Sequence, residues 1–437
     1  MQHTGGVRAL RGRTLELAHE LGLTEGVYAE MLDYTVELFE SQGLGTDYYG
    51  YHNVTHELEV TYAALLAMRG HDGGSFSQDN IRHMYAAALL HDFEPQKNAD
   101  KPHEEGVLRF IDSDRKVGEL VARAGLSLDA IRALILRTTY PFEGENRVRA
   151  EGEIAACHRR ASLDAEARRH SLWMGWFLSV LDRVCGYALG PFPKAMEMAK
   201  MNAHALGWHP HLIVRRSVSY FERLLNDETE MTRVVLGALP RDMRKCFMGN
   251  VLEFLELRRN EIRIQADYLY ENVRLHPFIE GHKARSDPAF ARELLAIYDE
   301  LPRPLQFARH TFAETLGDPE FFLNTLRLGS KDGEIVGFAK GGPLERYQLR
   351  PEIHDENRGS GNTVFLEPIA LKMGYWGMGG GRGMRNMFAM QAHSKGFRYM
   401  TSFALRDVVQ ARIDGGEVVE FVTRFDPERW DYYRTEI

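Results

Sequence analysis

Cysteine is scarce. Cys157, Cys185 and Cys246 are the only three in 437 residues, and their spacing fits neither a disulfide framework nor a cysteine zinc motif. A reducing, cytoplasmic interior suits such a chain. No run of about 18 apolar residues occurs, so no membrane-spanning helix is expected. Met1 to Arg13 carries charge without the apolar stretch of a signal peptide. An excess of positive charge is also missing: 54 Lys and Arg stand against 62 Asp and Glu, a net charge of −8. General nucleic-acid binding is therefore not expected, because phosphate contacts need clustered cations, although a local basic pocket is compatible with that balance. There is no internal repeat, and no low-complexity tract beyond one glycine cluster between Gly377 and Gly383.

What is present is the composition of a globular protein, 44% hydrophobic and 27% charged, in a chain longer than one core usually accommodates. Two domains are expected. From about Leu10 to Phe278 the apolar residues recur at helical spacing, as in Val60, Ala63, Ala64 and Ala67, and again in Val251, Phe254, Leu255 and Ile262. This predicts an all-α domain over residues 1–282. A polar connector, Gly281 to Pro288, then leads into a helix over about Ala289 to Glu300. Strand-like runs follow at Glu334 to Gly341 and Thr363 to Lys372, so residues 283–437 are expected to form a smaller α/β (α+β) domain.

Within the first domain, Tyr51 to His56 (Tyr-His-Asn-Val-Thr-His) opens a helical run, and positions four apart on a helix share a face, so His52 and His56 can serve one site. About 35 residues on, His91 and Asp92 end an apolar helix. A third apolar run, Trp173 to Leu181, delivers Asp182, a carboxylate that needs a partner in such surroundings. Imidazole and carboxylate are borderline metal ligands. Phosphate-ester hydrolysis uses a dication to neutralise the phosphoryl oxygens and to lower the pKa of a water. Taken singly, each His or Asp reads as a surface or core residue; the ordered set points to a metal site.

Residues 51–187 resemble the HD superfamily of metal-dependent phosphohydrolases, and Tyr51 to His56 resembles the corresponding element of cyclic nucleotide phosphodiesterases. The resemblance implies that His56, His91, Asp92 and Asp182 ligate a divalent metal (Mg, Mn, Zn or Fe), with His52 beside it protonating the leaving oxygen. After His91-Asp92 the phosphodiesterases carry a further His before Pro-Gly, where this chain reads Phe93 to Asn98. That departure counts against a standard cyclic-nucleotide phosphodiesterase and against a complete second metal site. His103, Glu104 and Glu105 are candidates for a second metal or for steering the nucleophile; a solvated helix N-terminus explains the two acids equally well. Lys97, Lys101 and Arg137 are candidates for substrate phosphate, against the plainer reading of solvated charges. Arg183, next to Asp182, is a candidate to support the ligand shell or the substrate.

In the second domain, the strand-like Phe365 to Met373 leads into Tyr375-Trp-Gly-Met-Gly-Gly-Gly-Arg-Gly383 and a helix over about Met384 to Ser394. Strand, glycine loop and helix start make an anion cradle: the backbone can approach a pyrophosphate, and the first helical N–H groups are unpaired. The arrangement resembles the acetyl-CoA-binding element of GNAT N-acyltransferases, with Gly377, Gly379 and Gly381 matching its loop and Arg382 and Gly383 beside them. Trp376 stands where that family carries Arg or Gln. The resemblance implies acetyl-CoA or another acyl-CoA as ligand, Phe397 to Leu405 as the next strand, and Tyr432 or Tyr433 near the thioester. A glycine-rich turn without a ligand, or a GNAT-like fold without transferase chemistry, are the competing readings.

The expected activity is hydrolysis of a small-molecule phosphoester or phosphodiester, such as a nucleotide or cyclic nucleotide. The GNAT-like domain would transfer an acyl group or sense acyl-CoA, in a chain able to form a homo-oligomer. Two alternatives are an HD-type di-iron oxygenase using the same imidazole and carboxylate ligands, and a non-catalytic sensor or assembly protein in which a degenerate GNAT-like fold contacts another chain.

Overall fold

The computed structural model describes residues 6–41, 52–70, 76–95, 103–271, 273–281, 285, 287–307, 309–426 and 428–437. The chain divides into two compact units: Met1–Asn202 with Ser217–Phe254, and Ala203–Arg216 with Leu255–Ile437. Two stretches of the helical half, 203–216 and 255–282, thus belong with the C-terminal residues.

The first unit is helical. Its elements are α1 (Val7–Glu20), α2 (Gly26–Ser41), α3 (Val54–Gly70), α4 (Gln78–Leu90), α5 (Glu104–Ser113), α6 (Arg115–Arg123), α7 (Leu128–Leu136), α8 (Gly144–Arg160) and α9 (Ala165–Ala188), then α10 (Phe192–Ala205), α11 (Ile213–Asn226), α12 (Thr229–Ala238) and α13 (Arg241–Tyr270); α10, α11 and α13 cross the division. Helices α3 and α4 are buried almost all round, through Val54, Leu58, Val60 and Ala63 to Met68 on one and Met84 to Leu90 on the other. A helix apolar on every side belongs in the middle of a bundle. Accordingly α3 packs against α1, α4 and α9. No helix among the described residues is long and apolar enough to cross a membrane.

The second unit is built on a mixed sheet. Its strands are β1 (Leu275–Ile279), β2 (Phe322–Leu328), β3 (Ile335–Pro343), β4 (Thr363–Leu366), β5 (Ala370–Leu371), β6 (Tyr399–Leu405), β7 (Val419–Thr423) and β8 (Trp430–Glu436). Their order is β1-β2-β3-β4-β6-β8-β7, with β5 paired to β3. All pairs are antiparallel except β4 with β6. Helices α14 (Pro288–Tyr298), α15 (Phe312–Gly317), α16 (Gly380–Ser394) and α17 (Arg406–Asp414) complete the unit.

Two expectations from the sequence need correction. Leu275 to Phe278 is not helical but lies in β1, an edge strand, where Pro277 costs no interior ladder bond. Thr363 to Lys372 is not one strand. It breaks between Leu366 and Ala370, at Pro368, which has no N–H to give the ladder.

Beside that break lies a buried ion pair. Lys340, on β3, donates to Glu367 Oε1 and, at 3.1 Å, to the Thr315 hydroxyl, and the Tyr347 hydroxyl donates to the same carboxylate oxygen at 2.7 Å. Both charged side chains are at most 1% exposed. Removing one partner strands the other in a low-dielectric core, at a typical cost of about 3–5 kcal/mol. Lys340→Ala is therefore expected to lower the urea midpoint of this unit steeply, and Lys340→Met with Glu367→Leu to recover most of the loss. A small effect of Lys340→Ala alone would contradict the pairing.

Candidate metal centre and ligand cavity

Three helices of the first unit deliver four donors to one point. Asn53 opens α3 by accepting the N–H groups of Thr55 at 2.9 Å and His56 at 3.2 Å, a side-chain cap that fixes His56 in the first turn. The helix starts at Val54, so His52 precedes it instead of sharing its face; the two imidazoles still meet edge to face, with centroids 5.7 Å apart. Ser77 caps α4, which ends at His91, and Asp92 follows as the chain leaves the helix. Asp164 caps α9, and Asp182 emerges from that helix among Leu178, Val180, Leu181 and Val184, all fully buried.

His56 Nε2 lies 3.0 Å from Asp182 Oδ1 and 3.3 Å from Asp92 Oδ2, and His91 Nε2 lies 3.4 and 3.7 Å from Asp92 Oδ2 and Asp182 Oδ1. One donor atom from each of the four residues falls within 4.8 Å of all the others. Ligands about 2.1 Å from one ion stand roughly 3.4 Å apart at tetrahedral corners, so this spacing fits a single coordination shell. His91 Nε2, Asp92 Oδ2 and Asp182 Oδ1 are buried and make no aligned hydrogen bond among the described residues. Leaving a buried carboxylate oxygen unsatisfied costs about 1–3 kcal/mol, a penalty a cation removes.

The electrostatics agree. Burial alone would push the His56 imidazole down, but the Asp182 and Asp92 carboxylates outweigh it and hold the group well above its usual range. His91 is raised likewise, against burial, by Asp92 and Glu57. Burial pushes Asp92 up, yet His91 and His52 pull it to about 2, and Asp182 is lowered by His56 and His91. Two carboxylates that favour the protonated forms of two imidazoles make a donor set whose protons a dication would displace. The imidazoles are almost fully covered, whereas the side chains of Asp92 and Asp182 keep 15% and 16% exposure, so the shell is accessible from the carboxylate side.

A fifth residue supports the shell. Glu57, wholly buried, has Oε1 at 3.3 Å from His91 Nδ1, and that nitrogen is also 3.0 Å from the Ala88 carbonyl. A proton held on Nδ1 leaves Nε2 free to ligate. Sequence reasoning passed over Glu57; its signal is a carboxylate beside His56 inside an otherwise apolar helix. Cys185, one turn beyond Asp182, bears on His56.

The other described candidates are not among the four donors. Lys97 and Lys101 fall outside the described residues, as does Tyr51. His103 precedes α5 and donates its N–H to Glu94 at 3.0 Å, Glu104 begins that helix, and Glu105 turns outward to Arg149 at 2.5 Å; none belongs to the convergent set. Arg183 grips both oxygens of Glu228 and the Ser179 carbonyl, so its guanidinium is occupied away from Asp182. Arg137 differs. Its guanidinium lies over Phe142 at 3.7 Å and 5.7 Å from the Trp176 centroid, and burial lowers its pKa to about 10. Its Cβ abuts Gly175, which is two turns before Asp182 on the same face of α9.

The second unit has a cavity of about 1000 Å³. Its geometry begins with β4 and β6, which pair in parallel from Thr363 with Tyr399 to Leu366 with Ser402 and then part: the chain after Leu366 turns to β3, while Phe403 to Leu405 stay with β8. The gap is lined by Leu366, Pro368 and Ile369 on one side and Ser402, Phe403 and Ala404 on the other. The glycine loop follows. Gly377 and Gly379 hold φ of +83° and +81°, the left-handed region that favours glycine, and Gly379 precedes α16 with no side chain capping the helix. Gly377, Gly379, Gly381, Arg382 and Arg385 all line the cavity. Gly383, between Arg382 and Arg385 in α16, is not part of the wall. Trp376 turns its Nε1–H back to the Leu371 carbonyl at 3.2 Å, so the indole closes the loop onto the sheet.

The two tyrosines separate. Tyr432 donates to Asp355 at 2.7 Å, on the other side of β8 from the cavity. Tyr433 lines the cavity, and its hydroxyl accepts from Arg412 at 2.7 Å; burial would raise it, but Arg412 and Arg385 bring it below the ordinary phenol value.

The segment Leu206 to Arg216, distant in sequence, also lines the cavity. Glu428 holds it, 3.2 Å from His204 Nε2 and accepting from Arg350 at the same distance. Burial disfavours the Glu428 carboxylate, yet His204 and Arg350 hold it down at about 2, from an ordinary 4.5. A depressed carboxylate stabilises fully above its unfolded value and loses that contribution as pH falls from about 4.5 toward 2, here roughly 2 kcal/mol after allowing for partial exposure. Glu428→Gln should thus cost stability at pH 7 and much less at pH 3 in paired urea melts. An equal cost at both would exclude the ionic hold.

No protein-family profile and no curated protein matches the chain. Solved structures similar to its C-terminal part are GNAT acetyltransferases. An acetyltransferase of the GNAT family from Staphylococcus aureus has 10% identity over 37% of this chain and 99% of its own, with a TM-score of 0.26. For a structure titled a putative acetyltransferase, from Acinetobacter baylyi, the values are 16%, 38%, 94% and 0.27. A GNAT superfamily phosphinothricin acetyltransferase from Sinorhizobium meliloti, in complex with AcCoA, gives 14%, 37%, 88% and 0.25. Likeness at this level bears on neither substrate nor mechanism.

Proposed function

We propose that the chain carries two chemistries, metal-dependent hydrolysis of a phosphoester or phosphodiester in the helical unit and binding of an acyl-CoA, with acyl transfer, in the sheet unit. The observation that supports the first is the convergence of His56, His91, Asp92 and Asp182 with Glu57 behind His91. These four would hold a divalent ion, which when bound neutralises the phosphoryl oxygens and lowers the pKa of a water. His52 is outside the four donors, beside His56 and within the field of Asp92. It would donate a proton to the ester oxygen as the P–O bond breaks, while a water oxygen adds to phosphorus and releases its own proton to solvent. Arg137, desolvated over two aromatic rings, offers the positive charge for a substrate phosphate. The described residues supply one four-donor set and no second, which favours hydrolysis over a di-iron oxygenase.

His52→Gln separates acid from ligand. The variant is expected to retain its metal, to lose roughly 10²–10⁴-fold in turnover of an alkyl phosphoester, and to lose far less on an aryl ester whose leaving group needs no proton. Metal loss in this variant, or equal losses on both esters, would refute the assignment.

For the second chemistry the supporting observation is the strand split opening onto the glycine loop. The loop and helix start suit a diphosphate, and the split suits a narrow thioester arm. An amine nitrogen would add to the thioester carbonyl as the C–S bond breaks, the amine giving up one proton and the thiolate taking one. Tyr433 is the phenol facing that ligand. Tight CoA binding without acyl transfer to any amine would leave a sensor in place of a transferase.

A further inference from the structure

The cavity of the sheet unit has two unlike walls. One is polar and basic: the glycine loop with Arg382 and Arg385, and beside Arg385 the Tyr433 hydroxyl with Arg412. The other is apolar, made by Leu206, Leu212, Leu301, Leu305, Leu405 and Trp430. Four of these six belong to other structural business as well. Leu301, Leu305, Leu405 and Trp430 are part of the packed core between α14 and the sheet, each no more than 7% exposed, so their positions are fixed by close packing. The parted strands lie along the cavity, with Leu366 and Ser402 where they separate and Leu405 three residues further on. An acyl group whose carbonyl sits in the split therefore has apolar wall ahead of it.

We infer that this cavity takes a medium-chain acyl thioester of CoA, of about six to eight carbons, in preference to acetyl-CoA. The inference rests on the acyl-CoA reading above and names the donor for that same site. Volume is compatible with it: about 1000 Å³ is at the upper end of what encloses a drug-sized ligand, the size class of a CoA thioester together with its acyl chain. Chemistry argues for it. An acetyl group leaves the half-buried Leu206 and Leu212 uncovered, whereas each buried methylene improves binding by about fourfold. The source of the wall adds a further point, since Leu206 and Leu212 come from the 203–216 segment that Glu428 holds through His204 and Arg350.

The test is calorimetric titration of the full chain with CoA and with acetyl-, butanoyl-, hexanoyl- and octanoyl-CoA. Affinity is expected to rise with chain length, by at least about a hundredfold from acetyl to octanoyl. Leu212→Trp, a half-buried position where added bulk fills the apolar end, is expected to erase the octanoyl advantage over acetyl-CoA measured on the same variant. A flat series with CoA still bound overturns the chain-length inference and leaves the acyl-CoA reading standing. Failure of every CoA species, free CoA included, overturns both. An unchanged octanoyl preference in Leu212→Trp overturns the assignment of the chain to this wall.

Discussion

Asp182→Ala is expected to leave the protein without its metal and with phosphoester turnover reduced at least about a thousandfold. The size of the effect follows from what the carboxylate does. Asp182 Oδ1 lies 3.0 Å from His56 Nε2 and 3.7 Å from His91 Nε2, so its removal takes one corner from the donor set and one of the two carboxylates that would face an ion. His56 and His91 would remain, almost fully buried, with only Asp92 to balance a dication. Metal content by mass spectrometry after dialysis and initial rates on an alkyl phosphoester read the two consequences together. Full metal occupancy in Asp182→Ala would contradict the ligand assignment, even if the rate fell.

Gly379→Val should weaken CoA binding by roughly ten- to a hundredfold without unfolding the unit. A Cβ at this residue meets nothing within 4 Å, so the substitution creates no packing clash. What it does create is a β-branched residue at φ +81°, a conformation that costs about 1–3 kcal/mol outside glycine. The loop relieves the strain by changing its backbone, which moves the N–H groups at the start of α16 away from an anion. Titration with CoA reads the loss, and a thermal melt shows whether the fold survives. Parental affinity would mean that the loop does not hold the diphosphate.

How much of this was legible in the sequence depends on how local each cause is. His91, Asp92 and Asp182 stand out because each interrupts or ends an apolar helical run, and helical periodicity is a local property. The start of α3 depended on Asn53 acting as a cap, which moved His52 off the helix although four-residue spacing suggested a shared face. Glu57 looks like any helix glutamate until α4 brings His91 against it. Arg183 was readable as a neighbour of Asp182, but its engagement by Glu228, 45 residues away, was not. In the second unit the glycines announced the loop, and Pro368 held the signal for the strand break that the apolar pattern hid. Nothing local marks Leu206 to Arg216 as cavity wall. That role depends on contacts far apart in sequence, such as His204 with Glu428, itself bound by Arg350, and with the Trp430 ring, more than 200 residues away. The separation of Tyr432 from Tyr433 is the simple alternation of a strand, and needed only the knowledge of which face opens on the cavity.

A single metal shell of His56, His91, Asp92 and Asp182 is read by K-edge X-ray absorption on the full chain loaded with manganese or zinc. Uptake of one ion is expected, with first-shell N and O ligands at about 2.0–2.2 Å and the outer-shell scattering of two imidazoles. An all-oxygen shell without imidazole scattering, or no uptake at all, would contradict it.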